Sequence, residues 1–442
     1  MRQPSTITGA RDGSAPGGPR SGPGSGGQPP SRRVRRLAPP AIDRFTAAGA
    51  GAAIDLAHGH CDWDDDHGGH TVPTGENTGT DIGEAPGGAP HGPVGGDVLL
   101  DPDPPVNGDG SPAAPDGPFA LRSAVARVLG TRLGTTVDPE TEVTLSQGTA
   151  QALYAALLVL VDPGDEVIVF EPYHEGFLHA VELAGARVRL VRLHPPDWEY
   201  DERELRAAFT PRARAIIVNS PHNPTGRVLG PAEMRTLTEL CAEHRVGIVS
   251  DEAYAAMVYA GEHCSPWQFP AGRGRTVVIG SLSLSHRTAG RSVGWTAAPA
   301  PLTDRLRLAQ QTISRCAADP LTTGQAAALA RADFSPAYHA RLREELRRKR
   351  DLLVGALNDA GLPTSSPQGA IFAFSGTLGR DSERLTQALL QDLSLAAVPG
   401  TCFFAGTHRG SGMIRFCFAR RDATLAAAVT GLPLLRSGGI RV

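Results

Sequence analysis

Asn219-Ser220-Pro221-His222-Asn223-Pro224-Thr225-Gly226 closes the apolar run Ala213–Asn219 with a segment rich in turn residues. Further along, the apolar run 246–250 ends in Ser250-Asp251-Glu252-Ala253-Tyr254, which puts an acid and a phenol at a strand end. Asn-Pro followed by Thr-Gly is, taken alone, a tight turn and nothing more. Two such segments after two short Val/Ile-rich runs carry more information. In open α/β sheets, ligands bind outside the carboxyl ends of the strands, where both segments fall.

The surrounding pattern agrees with such a sheet. The runs 142–146, 166–170, 187–193, 213–219, 246–250 and 276–280 are short and rich in Val, Ile and Leu. Most are separated by helical segments, the first of which are Phe119–Leu133 and 148–161. Buried strands alternating with helices predict an α/β fold whose mainly parallel sheet is covered on both faces. After Pro301 the chain reads as helical, with a long charged helix near 336–360. Strands at 370–374 and 412–418 follow, as in a smaller α+β domain. Residues 1–40, rich in Gly, Pro, Ser and Arg, are expected to be disordered. The segment 41–117, Gly/Pro-rich from 74, is expected to form an N-terminal piece with a lid and a loop. A large cofactor-binding domain over 118–305 and a small C-terminal domain over 306–442 complete the expected organisation.

The paired motifs resemble the class I/II aminotransferases of pyridoxal-phosphate (PLP) fold type I, in the branch with kynurenine and methionine aminotransferases. The resemblance runs from about residue 54 to 420. It implies a large domain with a mostly parallel seven-stranded sheet, a smaller α+β domain, and a homodimer whose sites lie at the subunit interface. It further implies PLP or its amine form PMP as cofactor and an amino acid or 2-oxo acid as substrate. By position, Asp251 would pair with the protonated pyridine nitrogen, and Asn223 and Tyr254 would hydrogen-bond the ring's O3′ oxygen. Gly148, Thr149 and Ala150 match the loop that holds the phosphate at a helix N-terminus. His174 stands where the family stacks an aromatic ring on the pyridine. Arg415 matches the arginine that binds the substrate α-carboxylate, and Gly59 falls in the substrate-binding segment before the lid.

The lysine motif departs from the family. Lysine normally holds the cofactor as a Schiff base and shuttles protons. This chain has Gly280-Ser281-Leu282-Ser283-Leu284-Ser285-His286-Arg287-Thr288-Ala289-Gly290-Arg291-Ser292-Val293-Gly294-Trp295, without a lysine. Counted back from Gly294-Trp295 without gaps, Leu284 takes the lysine position and Ser292 that of the phosphate-binding arginine. A two-residue deletion instead places His286 at the lysine position, with Ser281, Ser283 and Arg291 still near the phosphate. A histidine there would suit general-base catalysis, since its unperturbed pKa is near 6.5. The tyrosine that reaches a neighbouring subunit's phosphate has no counterpart, and its spacing lands near Pro112. The one lysine of the 442 residues is Lys349, in Arg347-Arg348-Lys349-Arg350, a charge run read as a solvated helix face.

Composition narrows the remaining choices. The net charge of −3 gives no reason to invoke nucleic acid, and no apolar stretch is long enough to span a membrane. A soluble cytoplasmic protein is the expectation. Six scattered cysteines without CxxC spacing read as buried thiols. His58, His60, Cys61, Asp62, Asp64, Asp65, Asp66, His67 and His70 form a cluster that a divalent metal could use. A polar lid loop explains the same residues, and no metal is assigned. Two functional readings remain. One is an enzyme that binds PLP or PMP without a covalent link, with His286 and Tyr254 at the reacting groups. The other is an inactive aminotransferase-fold scaffold.

Overall fold

Short apolar runs too brief for helices build the centre of the fold, which a computed structural model describes for residues 31, 33–34, 37–49, 51–59, 61, 116–286, 292–314 and 335–436. The strand β1 (Ile54–Asp55) belongs to the smaller part of the molecule. The large sheet comprises β2 (Val143–Gln147), β3 (Glu166–Glu171), β4 (Arg187–His194), β5 (Glu199–Tyr200), β6 (Ala213–Asn219), β7 (Gly247–Asp251), β8 (Thr276–Ser281) and β9 (Val293–Ala297). Their order is β2-β9-β8-β7-β6-β3-β4-β5. The strands from β8 to β4 are mutually parallel, whereas β9 runs antiparallel to both its neighbours. The sheet therefore has one strand more than the seven expected. The extra one, β5, is a two-residue antiparallel partner at the edge of β4.

Alternation along the buried strands sends Ile168, Ile216 and Ile248 to one face, against Leu205, Met234 and Leu237. Val167, Val169, Ile217 and Val249 face the other side and pack on Ala152, Leu157 and Val181. Each fully buried Val, Ile or Leu is worth roughly 1.5–3 kcal/mol relative to exposure. Both faces are thus closed, and the chemistry is left to the strand ends.

Strand register brings those ends together. Asn219 at the end of β6 lies opposite Asp251 at the end of β7, and Asp251 lies opposite Ile279 of β8. Ser281 pairs with Gly294, and Gly294 with Ser146, so the helix Gly148–Leu160 begins at this same edge. Gly148 adopts φ +73°, and a Cβ there would meet the Cβ of Ser292 at 3.0 Å. Only glycine makes this turn without strain at so close an approach.

The smaller part is built on β10 (Phe372–Gly376), β11 (Leu395–Ala396), β12 (Val398–Pro399) and β13 (Met413–Cys417). β13 lies between β10 and β12, and β1 pairs with β11. The helix Pro336–Asp359 covers this part through Leu342, Leu346, Leu353 and Leu357.

Lys349 lies on that same inward stripe, which corrects its reading as solvated. It is 1% exposed, its Nζ donates to Arg420 O at 2.6 Å, and it pairs with Glu345 at 3.3 Å and Asp422 at 3.4 Å. The reason is helical spacing: Lys349 is three residues after Leu346 and four before Leu353, so it shares their face. Five cysteines among the described residues, 61, 241, 264, 402 and 417, are buried thiols as expected. No helix among the described residues is long and apolar enough to cross a membrane.

Candidate active site

Two hydrogen bonds from one side chain set the geometry of the Asn223 turn. Asn219 Oδ1 accepts from Asn223 N at 2.8 Å, while its Nδ2 donates to Asp251 O at 3.2 Å. The turn is closed by Gly226 N donating to His222 O at 2.7 Å. Gly226, at φ +71°, lies against Pro367, where a Cβ would come within 2.3 Å of the proline Cβ. The turn after β6 is thereby fixed both to β7 and to the smaller part.

Arg415 on β13 reaches that turn. Its Nη1 donates to Asn223 Oδ1 at 3.1 Å and its Nη2 to Ala57 O at 2.9 Å. The guanidinium lies 4.2 Å from the centre of the Phe372 ring and 4.9 Å from that of Phe403, so aromatic faces cover it on two sides. No carboxylate among the described residues pairs with it. Burial lowers its pKa to about 10. Tyr254 packs edge-on against Phe372 at 5.7 Å, and burial together with the Asp251 charge raises its phenol pKa well above the usual value. Asn223, Tyr254, Asp251 and Arg415 thus lie close together at the strand ends. Phe372, Phe403 and Asn219 complete the group, and sequence reading missed all three. For Asn219 the signal was present, four residues before Asn223 at the same strand end.

Asp251 carries the opposite imbalance. Burial, reinforced by the neighbouring Glu252 charge against a hydrogen bond from Ala253 N, raises its pKa to about 6. No cation among the described residues lies within ion-pair distance of it. Glu252 differs completely. Burial alone would raise its pKa, but His263 at 2.9 Å and Arg132 at 2.8 Å hold it near 2, assisted by Ser250 and Ser265. An ionised carboxyl is costly to bury without a cation. Asp251 therefore fits a cationic partner such as a protonated pyridine nitrogen, and Arg415 fits a carboxylate.

The other sequence candidates are placed as follows. Gly148, Thr149 and Ala150 form the first turn of the helix Gly148–Leu160, so backbone N–H groups are available for a phosphate. Gly59 lies against Phe372, where a Cβ would meet the ring at 3.3 Å. His174 titrates near 4 because burial and the Arg415 charge both disfavour its cation, which leaves a neutral imbalance-free ring at neutral pH. Ser281 ends β8. Ser283 Oγ accepts from Val293 N at 2.8 Å and so ties the helix Leu282–Ser285 to β9.

Leu284 packs against the cluster that contains Tyr254, Leu56 and Met257. His286 is placed elsewhere. Its ring stacks on Tyr338 of the long helix, with centroids 5.3 Å apart and planes 16° apart, and its Nδ1 bonds Ser285 Oγ at 2.8 Å. His339 lies edge-on at 5.9 Å. Arg291 and Pro112 lie outside the described residues, as do His60, Asp62, Asp64, Asp65, Asp66, His67 and His70. Of that histidine-acid cluster, His58 is described and bonds Asp55 at 2.6 Å.

The chain is similar to known proteins in sequence and in fold. The family described as aminotransferase class I and II matches residues 113–432. Methionine aminotransferase of Escherichia coli is 33% identical over 323 residues, covering 72% of this chain and 82% of the relative. The arginine–pyruvate transaminase of Pseudomonas aeruginosa is 34% identical, covering 72% and 82%. The structure of N-succinyldiaminopimelate aminotransferase from Mycobacterium tuberculosis superposes with a TM-score of 0.77 at 29% identity, over 92% of this chain and 100% of that one. Aminotransferases of this family use PLP and PMP as cofactor and have fold type I, the fold found here. With the family pattern spanning most of its length and relatives above 30% identity across their own, the chain belongs to the class I and II aminotransferases.

Proposed function

We propose that the protein holds PLP or PMP non-covalently and exchanges an amino group with an amino acid or 2-oxo acid without a Schiff-base lysine. The observation that carries this reading is a pair of complementary imbalances close together: half-buried Asp251 without a cation and buried Arg415 without a carboxylate, among the described residues. When bound, the cofactor supplies electron withdrawal through its ring and a carbonyl or amine for exchange. Asp251 would hold the ring nitrogen in its protonated form. Asn223 and Tyr254 would orient the ring through O3′, and His174, neutral at pH 7, would cover its face. Arg415, preorganised by Asn223, Ala57 O and two phenylalanine rings, would fix the substrate carboxylate, with Gly59 beside it.

The phosphate end is weaker than in a lysine-bearing relative. Its supports are the first turn of the helix Gly148–Leu160 and the Ser281 hydroxyl, with Ser292 where the gapless count expects an arginine. We assign the lysine position to Leu284, because Leu284 packs with the Tyr254 cluster whereas His286 stacks on Tyr338. His286 then supports the Leu282–Ser285 turn, and no amine is present to move the proton, so the exchange should be slow. The relatives are named for transaminations, which favours a working site over an inert scaffold. The functional unit is proposed to be a homodimer, and a light-scattering mass equal to one chain at micromolar concentration would refute that.

The test is an absorbance spectrum of the purified protein with added PLP and with PMP, alongside equilibrium binding of each. Saturable binding to wild type, lost in Asp251→Ala, supports the proposal. Binding that is absent, or unaffected by that substitution, refutes it.

A further inference from the structure

A second cavity, of about 520 Å³, lies between the helix Phe119–Leu133 and the start of the helix Pro336–Asp359. Its lining includes Arg127, Arg132, His339 and Arg343, and no carboxylate among the described residues. Arg127 and Arg343 have no carboxylate partner among the described residues. Arg132 spends its Nη2 on Glu252, yet its buried Nε has no hydrogen-bond acceptor. The cavity also receives the N-terminus of a 24-residue helix, capped by Ser335, whose Oγ accepts from Tyr338 N at 3.1 Å. Two guanidiniums without a carboxylate partner among the described residues, the Nε edge of Arg132 and the positive end of a helix around one hollow make a field that favours an anion.

We propose that this cavity is a binding site for a small molecule bearing a dianionic phosphate group, separate from the Asp251–Arg415 cleft. A single carboxylate would leave one of the guanidiniums of Arg127 and Arg343 uncompensated, whereas a phosphate dianion matches both and offers three acceptor oxygens to a guanidinium fork and helix amides together. The cavity adjoins the candidate active site without sharing its residues. Ala255 and Ala256 of the lining follow Tyr254 directly. His339 stands edge-on to His286, and Tyr338 OH donates to Ser285 O at 2.7 Å, one residue beyond Leu284. A ligand gripped by His339 and Arg343 would therefore bear on the turn that carries Leu284.

The experiment is calorimetric titration of the full chain with inorganic phosphate, with glycerol 3-phosphate and with glycerol, at low salt. We expect saturable binding of one or both phosphates at one site per chain, and none of glycerol. Preference for glycerol 3-phosphate identifies an ester ligand, and equal binding identifies free phosphate. The double variant Arg127→Ala/Arg343→Ala should raise the dissociation constant about tenfold or more, since each lost contact is charge-assisted. Arg127→Lys/Arg343→Lys should retain part of the affinity. Saturating PMP, which would fill the cleft and its phosphate end, should leave the binding unchanged. The proposal is overturned if wild type binds neither phosphate, if the double alanine variant binds unchanged, or if PMP competes with the binding, which would assign it to the cleft.

Discussion

Arg415 Nη1 donates to Asn223 Oδ1 at 3.1 Å, so the turn after β6 and the central strand of the smaller sheet are joined by one buried hydrogen bond. Its consequence is preorganisation. A guanidinium held by Asn223 and Ala57 O keeps its planar fork oriented, and less rotamer entropy is lost when a carboxylate arrives. Asn223→Ala should weaken amino-acid binding to the PMP- or PLP-loaded protein about tenfold or more. Arg415→Lys should weaken it further, because an ammonium cannot reproduce the bidentate fork. Substrate-induced absorbance change gives both values. Equal affinities in wild type and Arg415→Lys would remove Arg415 from substrate recognition.

Acid should release the cofactor through Asp251. In the cofactor-free protein this carboxyl titrates near 6, raised by burial and by Glu252, against about 3.9 for an ordinary Asp. The sign follows directly. A raised folded-state pKa contributes stability that is present below about pH 4 and is lost as pH rises through 6. Binding a pyridinium needs the ionised form, so affinity should fall as pH drops below 6. His174, near 4, titrates below that window. Asp251→Asn should both weaken binding and flatten its pH dependence between 5 and 7, read by equilibrium dialysis at each pH. A wild-type profile that is already flat would show that Asp251 does not face the ring nitrogen.

Lys349 should matter for stability and not for chemistry. Its ammonium is buried against Arg420 O, Glu345 and Asp422. Removing one partner of a buried ion pair costs about 3–5 kcal/mol, discounted here because Asp422 is half-exposed. Lys349→Met should therefore lower the denaturant midpoint by the equivalent of about 2 kcal/mol. It should leave the affinity for PMP within about twofold. A large loss of PMP binding in a variant that still melts cooperatively would mean that Lys349 acts on the cleft.

The contrast between Lys349 and Asp251 shows what the sequence makes legible. The helix Phe119–Leu133 and the strand Ala213–Asn219 are readable to the residue, because period and turn signals agree there. Asp251 and Asn223 are legible because one ends a strand and the other lies in the turn just after one, each in a dense motif. Lys349 was misread because three arginines hide the spacing Leu346, Lys349, Leu353, which places it on the buried stripe. β9 was not read as a strand, since its residues were absorbed into a motif about phosphate and lysine. Phe372 and Phe403 gave no signal, because two phenylalanines far apart in sequence flank Arg415 only once β10 and β13 have paired.

The lysine position itself can be located by substitution. Leu284 packs with the cluster around Tyr254, and Ser292 touches the start of the phosphate-side helix, as the gapless count requires. His286 has turned to Tyr338, with centroids 5.3 Å apart. Leu284→Lys should therefore bind PLP covalently and turn yellow, and Leu284→Lys/Ser292→Arg should bind it more tightly by restoring a charge-assisted phosphate contact. His286→Lys should gain no covalent cofactor and should lose stability, because it replaces a stacked ring with a buried ammonium. Borohydride reduction followed by peptide mapping reads the outcome. Wild type should carry no pyridoxyl group within 281–295, and Leu284→Lys should carry one at 284. Labelling in His286→Lys with none in Leu284→Lys would reverse the assignment, return His286 to the reacting groups, and restore it as the general base.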